Sequence, residues 1–256
     1  MWFKNHLYYT LSIFYLCKYK NRFFYGKFNS YSMQQIKLIA ENGWDMQVAN
    51  GGLYFRKNSS CNRTDEYYLY DLQQVYKVSK NEFLTAKLGT NFRQIIETFG
   101  SEPTSAIILN DGSVIATEYK DFYIHIFDSK GNLTRKIEDI GFDSIYDIAF
   151  EAPDFLWCAM PTANAIRKYR LSDSKELFGI GDYGDNSVLE YPEGVEIYDN
   201  YLYICDLRHE RICRLNLKTY QQETHWTFEK GGSYEYKRIG NLEFVKRHNG
   251  IYQLTE

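Results

Sequence analysis

Apolar residues in this chain fall in short alternating runs, and pairs of runs are separated by compact turn clusters. That pattern marks β-hairpins, because Asn, Asp, Gly and Pro tolerate the backbone angles of a tight reversal. Five hairpins stand out: VANGGLYF at Gly51, IILNDGSVIA at Asp111, DIAFEAPDFLWCA at Asp154, VEIYDNYLYIC at Asn200 and EFVKRHNGIYQL at Gly250. Their centres at 51, 111, 154, 200 and 250 lie 60, 43, 46 and 50 residues apart. Each middle hairpin is followed by a polar loop and a third strand: YIHIFD, AIRKYRL and RICRLNL. The turns DSKGN and SDSK then lead to fourth strands, LTRKI and ELFGI. Four antiparallel strands in about 40–50 residues make a β-propeller blade. The expected fold is all-β, one propeller domain over residues 1–256. A β-sandwich would explain the short strands but not the period.

The segment SIFYLCKYKNRFFYGKF lies over LYICDLRHERICRLNL, which extends the repeat to the N-terminus. Repeats are drawn over residues 1–41, 42–100, 101–141, 142–188, 189–231 and 232–256, the last ending after two strands. Two closures follow. Six blades, the last one short, is the leading arrangement. In the other, residues 22–40 complete the C-terminal half-blade and the ring has five. Either one removes the bare strand edges that an open ring would expose. Little helix is expected; FRQIIETF (residues 92–99) fits one or two helical turns or a strand.

Composition agrees with strands: 18% of residues are aromatic, including 24 Tyr and 17 Phe, and such side chains pack well on pleated surfaces. A formal net charge of −3 gives no electrostatic reason to expect a nucleic-acid partner. The five cysteines, Cys17, Cys61, Cys158, Cys205 and Cys213, are odd in number and lack zinc-type spacing. They read as buried thiols of a reducing compartment, which slightly favours the cytoplasm; a Cys205–Cys213 pair on neighbouring strands is the alternative. Residues 7–16 (LYYTLSIFYL) imitate a signal peptide but are too short to span a bilayer, and no cleavage site follows. No membrane partner is expected. The sequons at Asn58, Asn62 and Asn132 arise easily by chance in such a chain.

Residues 178–215 carry the fullest form of the repeat. Gly181 and Gly184 lie in the lead, Pro192 and Gly194 open a strand, Tyr203-Ile204-Cys205-Asp206 ends the next, and His209 and Arg211-Ile212 follow. This segment resembles the NHL repeat, of the TolB-like six-bladed propellers. The likeness is good for this blade, moderate over residues 103–187 and weak elsewhere. Glu118, Met160 and Lys18 stand where other repeats would carry the Asp. The resemblance implies that Asp206 and Arg211-Ile212 brace the blade. Loops on a stiff frame suit a rigid binding platform for a protein, peptide or carbohydrate; the polar loop cluster offers Arg208, His209 and Arg211 as candidate ligand contacts, with a solvated loop of local ion pairs as the plainer reading. Loop tyrosines such as Tyr119, Tyr183 and Tyr191 suit that role, since Tyr gives contact area at low entropy cost.

The alternative implied by related propellers is a lactonase or lyase with a divalent cation, calcium for instance, at the channel mouth. Calcium takes six to eight oxygens, so several blades must contribute. Starts of inner strands offer Asp45, Asp147, Glu193 and Asn241, with Asp147 and Glu193 the principal candidate ligands. Other motifs are weak. GIGDYG (residues 179–184) matches a dinucleotide fingerprint, but Tyr191-Pro192 cannot open the helix such a site needs. His6, His125, His209, His225 and His248 show no zinc spacing. No nucleophile elbow, P-loop or His-Glu-x-x-His occurs, so no catalytic residue is assigned.

Overall fold

The computed structural model describes residues 35–58, 65–118, 122–138 and 144–255. The first strand is β1 (Gln35–Glu41). Strands β2 to β5 are Gly43–Ala49, Gly52–Asn58, Asp65–Tyr70 and Val75–Val78. Helices α1 (Lys80–Leu88) and α2 (Phe92–Phe99) follow. Strands β6 to β9 are Ser105–Ile108, Val114–Glu118, Tyr123–Phe127 and Leu133–Ile137. Strands β10 to β13 are Asp147–Glu151, Phe155–Met160, Ala165–Arg170 and Lys175–Ile180. Strands β14 to β17 are Pro192–Tyr198, Tyr201–Asp206, Arg211–Asn216 and Gln222–Thr227. The last three, β18 to β20, are Glu235–Ile239, Leu242–Arg247 and Gly250–Thr255.

These strands form five separate four-stranded antiparallel sheets. Four are consecutive in sequence. The fifth joins the two ends of the described chain: β18, β19 and β20 are completed by β1, with Gln35 opposite Thr255 and Glu41 opposite Gly250. The inner strands β2, β6, β10, β14 and β18 open the five blades, and successive ones pack side by side around the channel except at β2 and β6. The fold is therefore a β-propeller, and the leading six-blade expectation is corrected: among the described residues there are five blades. The alternative closure holds instead, with Gln35–Glu41 as the outer strand of the C-terminal blade. The remainder of the repeat drawn over residues 1–41, with Cys17 and the apolar run, lies outside the described residues, as do Cys61 and Tyr119.

The hairpin at Gly250 also needs correction. It joins β19 to β20, the second and third strands of its blade, whereas the other four join first and second strands. The equivalent turn is at Gly240-Asn241, which shortens the last period toward the 43 and 46 of the middle blades. The long interval of 60 has its own cause in α1 and α2, inserted between the first and second hairpins. Residues 92–99 are helical, and α1 carries a signal that the strand pattern hid. Ser79 and Glu82 form a reciprocal capping box, each side chain accepting from the other's backbone N–H.

Each interface between blades holds its own apolar core. Ile115, Ile124, Ile148 and Leu156 fill the interface between the second and third blades in chain order, and Trp157, Ile166, Leu202 and Ile204 fill the next. Tyr203, Trp226, Tyr236 and Val245 pack the interface before the closing blade, and Met46, Phe55, Phe244 and Ile251 the one after it. The interface between β2–β5 and β6–β9 differs. There Phe83, Leu84, Leu88 and Ile95 of the helices sit between Tyr67 on one side and Val114, Ala116 and Phe127 on the other. Helix α1 packs on β2, β3, β4 and β6, so it is a wedge in the ring. Its end is pinned by Lys87, fully buried, whose Nζ donates to both oxygens of Asp45 at 3.0 and 2.8 Å. Arg56 meets the same carboxylate at 2.5 Å and also reaches Asp65 and Glu102.

Cys205 pairs with Ile212 and Cys213 with Ile204, so the two thiols point to opposite faces of one sheet. Both are free, which sets aside the suggested disulfide. Cys158 is free and buried as well, and burial pushes the Cys213 thiol up to about 11.

Burial would raise the Asp45 carboxyl, but Lys87 and Arg56 outweigh it and hold it below the ordinary value. A carboxylate depressed in the folded state stabilises above its unfolded pKa, and that contribution is lost as pH falls through the folded value. Asp45→Ala leaves Lys87 buried without its counter-charge and is expected to cost about 3–5 kcal/mol at neutral pH. In urea unfolding, the gap to wild type should hold from pH 8 to pH 5 and shrink below about pH 4. A constant gap across that range would show that Asp45 acts through packing alone.

Candidate site at the channel mouth

Strand direction alternates within a blade. The starts of the inner strands therefore share one face of the ring with the loops between second and third strands. The hairpin turns between first and second strands share the other. A cavity of about 370 Å³ opens at the first face, reached by Trp44, Glu118, Tyr146, Glu193, Tyr234 and Lys246, so all five blades contribute. A second cavity of about 260 Å³, more aliphatic, lies toward the hairpin turns around Ile108, Ile148 and Ile197.

Several acids of the upper cavity are already engaged. Bulged backbone at Asp45, where φ is 54°, turns two successive N–H groups toward the closing blade. Glu235 accepts both, Asp45 N at 2.9 Å and Met46 N at 2.6 Å. Asp147 accepts from the Ser105 hydroxyl at 2.5 Å and from Val195 N at 3.0 Å, so it ties three neighbouring blades together. Asp45 is held by Lys87 and Arg56, and Glu102 by Arg56 and Lys80. Below them Lys237 donates to Glu196 at 2.8 Å; burial opposes its charge, but Glu196 and Asp147 outweigh it and raise its pKa.

Glu193 differs. It lines the cavity with no hydrogen bond or ion pair among the described residues. Burial raises its carboxyl to about 7, against a partial opposing effect from Lys246, and Glu235 adds to the rise. Its backbone is fixed by its neighbour Gly194, where any Cβ would collide with the carbonyl oxygen of Tyr234. That close approach is the physical reason for glycine in the Pro-x-Gly segment. Lys246, opposite Glu235 across β18 and β19, holds its ammonium 3.7 Å from the centre of the Tyr234 ring.

The candidate residues thus separate. Asp147 and Glu193 share the mouth, but Asp147 is occupied with backbone and blade contacts. Asn241 sits in the turn between β18 and β19, on the opposite face, because its hairpin was misplaced in the repeat; the inner-strand start there is Glu235. His209 and Arg211 come together around buried Asp206 rather than around the cavity, and Arg208 faces Glu190 and Tyr191 instead. One Asp206 oxygen accepts from Glu190 N at 2.7 Å; the other meets Arg211 Nε and His209 Nδ1, each at 2.8 Å. Arg211 also donates to the Val188 carbonyl, which fastens the connector ahead of β14 onto its blade. Arg208 stays 60% exposed, with its guanidinium 4.9 Å from the centre of the Tyr191 ring. Tyr191 in turn stands edge-on to Tyr146, the centroids 6.2 Å apart. The GIGDYG glycines lie in a turn: Gly181 has φ 74° and Gly184 φ 80°, and no helix follows. Trp44, Glu118, Tyr234 and Lys246 were missed as site residues. Only Glu118 carried a signal, as the acid replacing Asp in its repeat.

No family model matches the sequence, nor does any curated protein. Among solved structures, the chain is similar to the WD40 β-propeller domain of Doa1, with a TM-score of 0.52 and 7% identity over 82% of this chain. It spans about 62% of that domain's length. Streptogramin B lyase is matched at a TM-score of 0.48 and 12% identity, over 86% of this chain and 72% of the lyase. The computationally designed Ika8 protein is matched at 0.47 and 10%, over 83% and 57%. At these identities the likeness shows the β-propeller fold alone.

A carboxyl raised in the folded state stabilises below its unfolded pKa, and that stability is lost as pH rises through the folded value. For Glu193 the window runs from about pH 4.5 to about 7. Glu193→Gln should match wild type at about pH 4 and exceed it at pH 8 by on the order of 2 kcal/mol in denaturant unfolding. Equal stabilities at both pH values would show that burial does not perturb this carboxyl.

Proposed function

We propose that this propeller is a rigid binding platform that reads its ligand, a protein, peptide or carbohydrate, on the face where the inner strands begin. The observation that supports this most directly is the division of labour on that face. Asp206, His209 and Arg211 brace a loop, and Asp147 and Glu235 tie blades together, whereas Tyr146, Tyr234 and Lys246 line the mouth and Tyr191 and Arg208 extend outward from Tyr146. Aromatic and Arg side chains on a stiff frame are the usual anchors of recognition. The bracing of Asp206 by Arg211 also supports the finer, NHL-like family reading, which expects those two residues to be structural.

The metal-dependent lactonase or lyase remains the competing proposal, with Asp147 and Glu193 as ligands of a calcium-like ion. Its support is weaker, since Asp147 has both oxygens engaged and no group of three His, Cys, Asp or Glu is placed to hold a metal among the described residues.

Two measurements separate these readings. Peptides and glycans selected on the wild-type protein should lose binding about tenfold or more with Arg208→Ala or Tyr234→Ala, and keep it with Asn241→Ala on the opposite face. Loss through Asn241→Ala alone would move the platform to the hairpin face. Thermal unfolding with EDTA, then with millimolar calcium, magnesium or zinc, should give coincident midpoints. A ligand at about 100 times its Kd adds about 2.7 kcal/mol, so a shift of several degrees with one cation would favour the enzyme.

A further inference from the structure

Subtracting the braces from the upper cavity leaves Glu193 and Lys246 without partners among the described residues. Glu193 has neither a hydrogen bond nor an ion pair. Lys246 has no carboxylate within ion-pair distance, and its ammonium rests over the Tyr234 ring. The two come from successive blades, are half-buried, and line one cavity.

The set defines its complement. An organic cation would meet Glu193 but face the Lys246 ammonium. An anion would meet Lys246 but face Glu193. A molecule with both charges satisfies both groups. The cavity's volume of about 370 Å³ lies at the low end for ligand pockets, which restricts the guest to a small one. We propose that the channel mouth binds a small zwitterion of the amino-carboxylic acid class, with its ammonium on Glu193 and its carboxylate on Lys246. The raised carboxyl of Glu193 fits this assignment, since an ammonium beside it would restore the charged form. Glu118, on the second blade's side of the same cavity, adds to the negative potential there without an ion-pair partner among the described residues. This goes beyond the platform reading, which shares Tyr234 and Lys246 with this site but gives no role to Glu193 and names no small charged guest.

The test is calorimetric titration of the wild-type protein with glycine, β-alanine, 4-aminobutyrate and 6-aminohexanoate. Butylamine and butyrate are the single-charge controls. One chain length should bind best, with both controls at least about tenfold weaker, a difference of about 1.4 kcal/mol. Glu193→Gln and Lys246→Gln should each weaken that ligand by a similar factor. The proposal is overturned if either control binds as tightly as the best amino acid, or if no member binds at concentrations up to about 10 mM. Both outcomes are read on the wild-type protein, so a variant that fails to fold does not blunt the test. The platform reading would survive that failure, because it is decided by Arg208 and Tyr234 in selection experiments.

Discussion

The innermost strand of a propeller blade has one edge with no strand beside it, and its backbone N–H groups there must find acceptors or stay bare at a cost. In this ring the acceptors are carboxylates from the adjacent blade. Glu235 takes the N–H groups of Asp45 and Met46, and Asp147 takes that of Val195 while holding Ser105. Satisfying the inner edge and tying one blade to the next are thus one interaction. It also explains the crowd of acids in the channel: their first task is to receive backbone donors, and only a residue left out of that task is available for anything else.

The same demand for paired edges explains closure. Strand β20 would present a bare edge at the end of the closing blade, and β1, from the other end of the described chain, covers it over its full length. Between β2–β5 and β6–β9 the ring is widened by α1, which replaces direct packing of inner strands with a helix. A buried Lys could not occupy that wedge alone, because an unpaired ammonium in an apolar site is strongly disfavoured. Asp45 resolves this by lying on the inner strand that the helix faces, and Arg56 shares the carboxylate from β3. The wedge, the bulge at Asp45 and the Glu235 contact are consequently linked around one residue.

What the sequence disclosed follows from range. Hairpins at Gly51, Asp111, Asp154 and Asn200 were legible because a tight turn is dictated by the residues within it. The turn at Gly240-Asn241 was passed over for Asn249-Gly250, since turn chemistry marks a reversal without saying which two strands of a blade it joins. That error carried Asn241 into the candidate metal set and kept Glu235 out. Asp147 and Glu193 were legible as acids at strand starts, yet their difference was not, because the partners of Asp147 lie 42 and 48 residues away. The link from Glu235 to Asp45 spans 190 residues, which no local pattern contains. Helix α1 announced itself only through Ser79 and Glu82, a short capping signal inside a chain otherwise read as strands.

Rigidity decides why charges at the mouth remain unpaired. Glu193 and Lys246 feel each other electrostatically, and a flexible loop would let them close into an ion pair. Here the backbone of Glu193 is set by Gly194 against Tyr234. Lys246 is set by its register with Glu235, itself anchored on Asp45 and Met46. The contacts that satisfy the inner edges therefore also set where the two side chains leave the backbone. Groups fixed in that way lose little freedom when a ligand arrives, so more of the interaction appears as affinity. A mouth built from mobile loops would have neutralised itself; one built on braced strands keeps its polarity for whatever enters it.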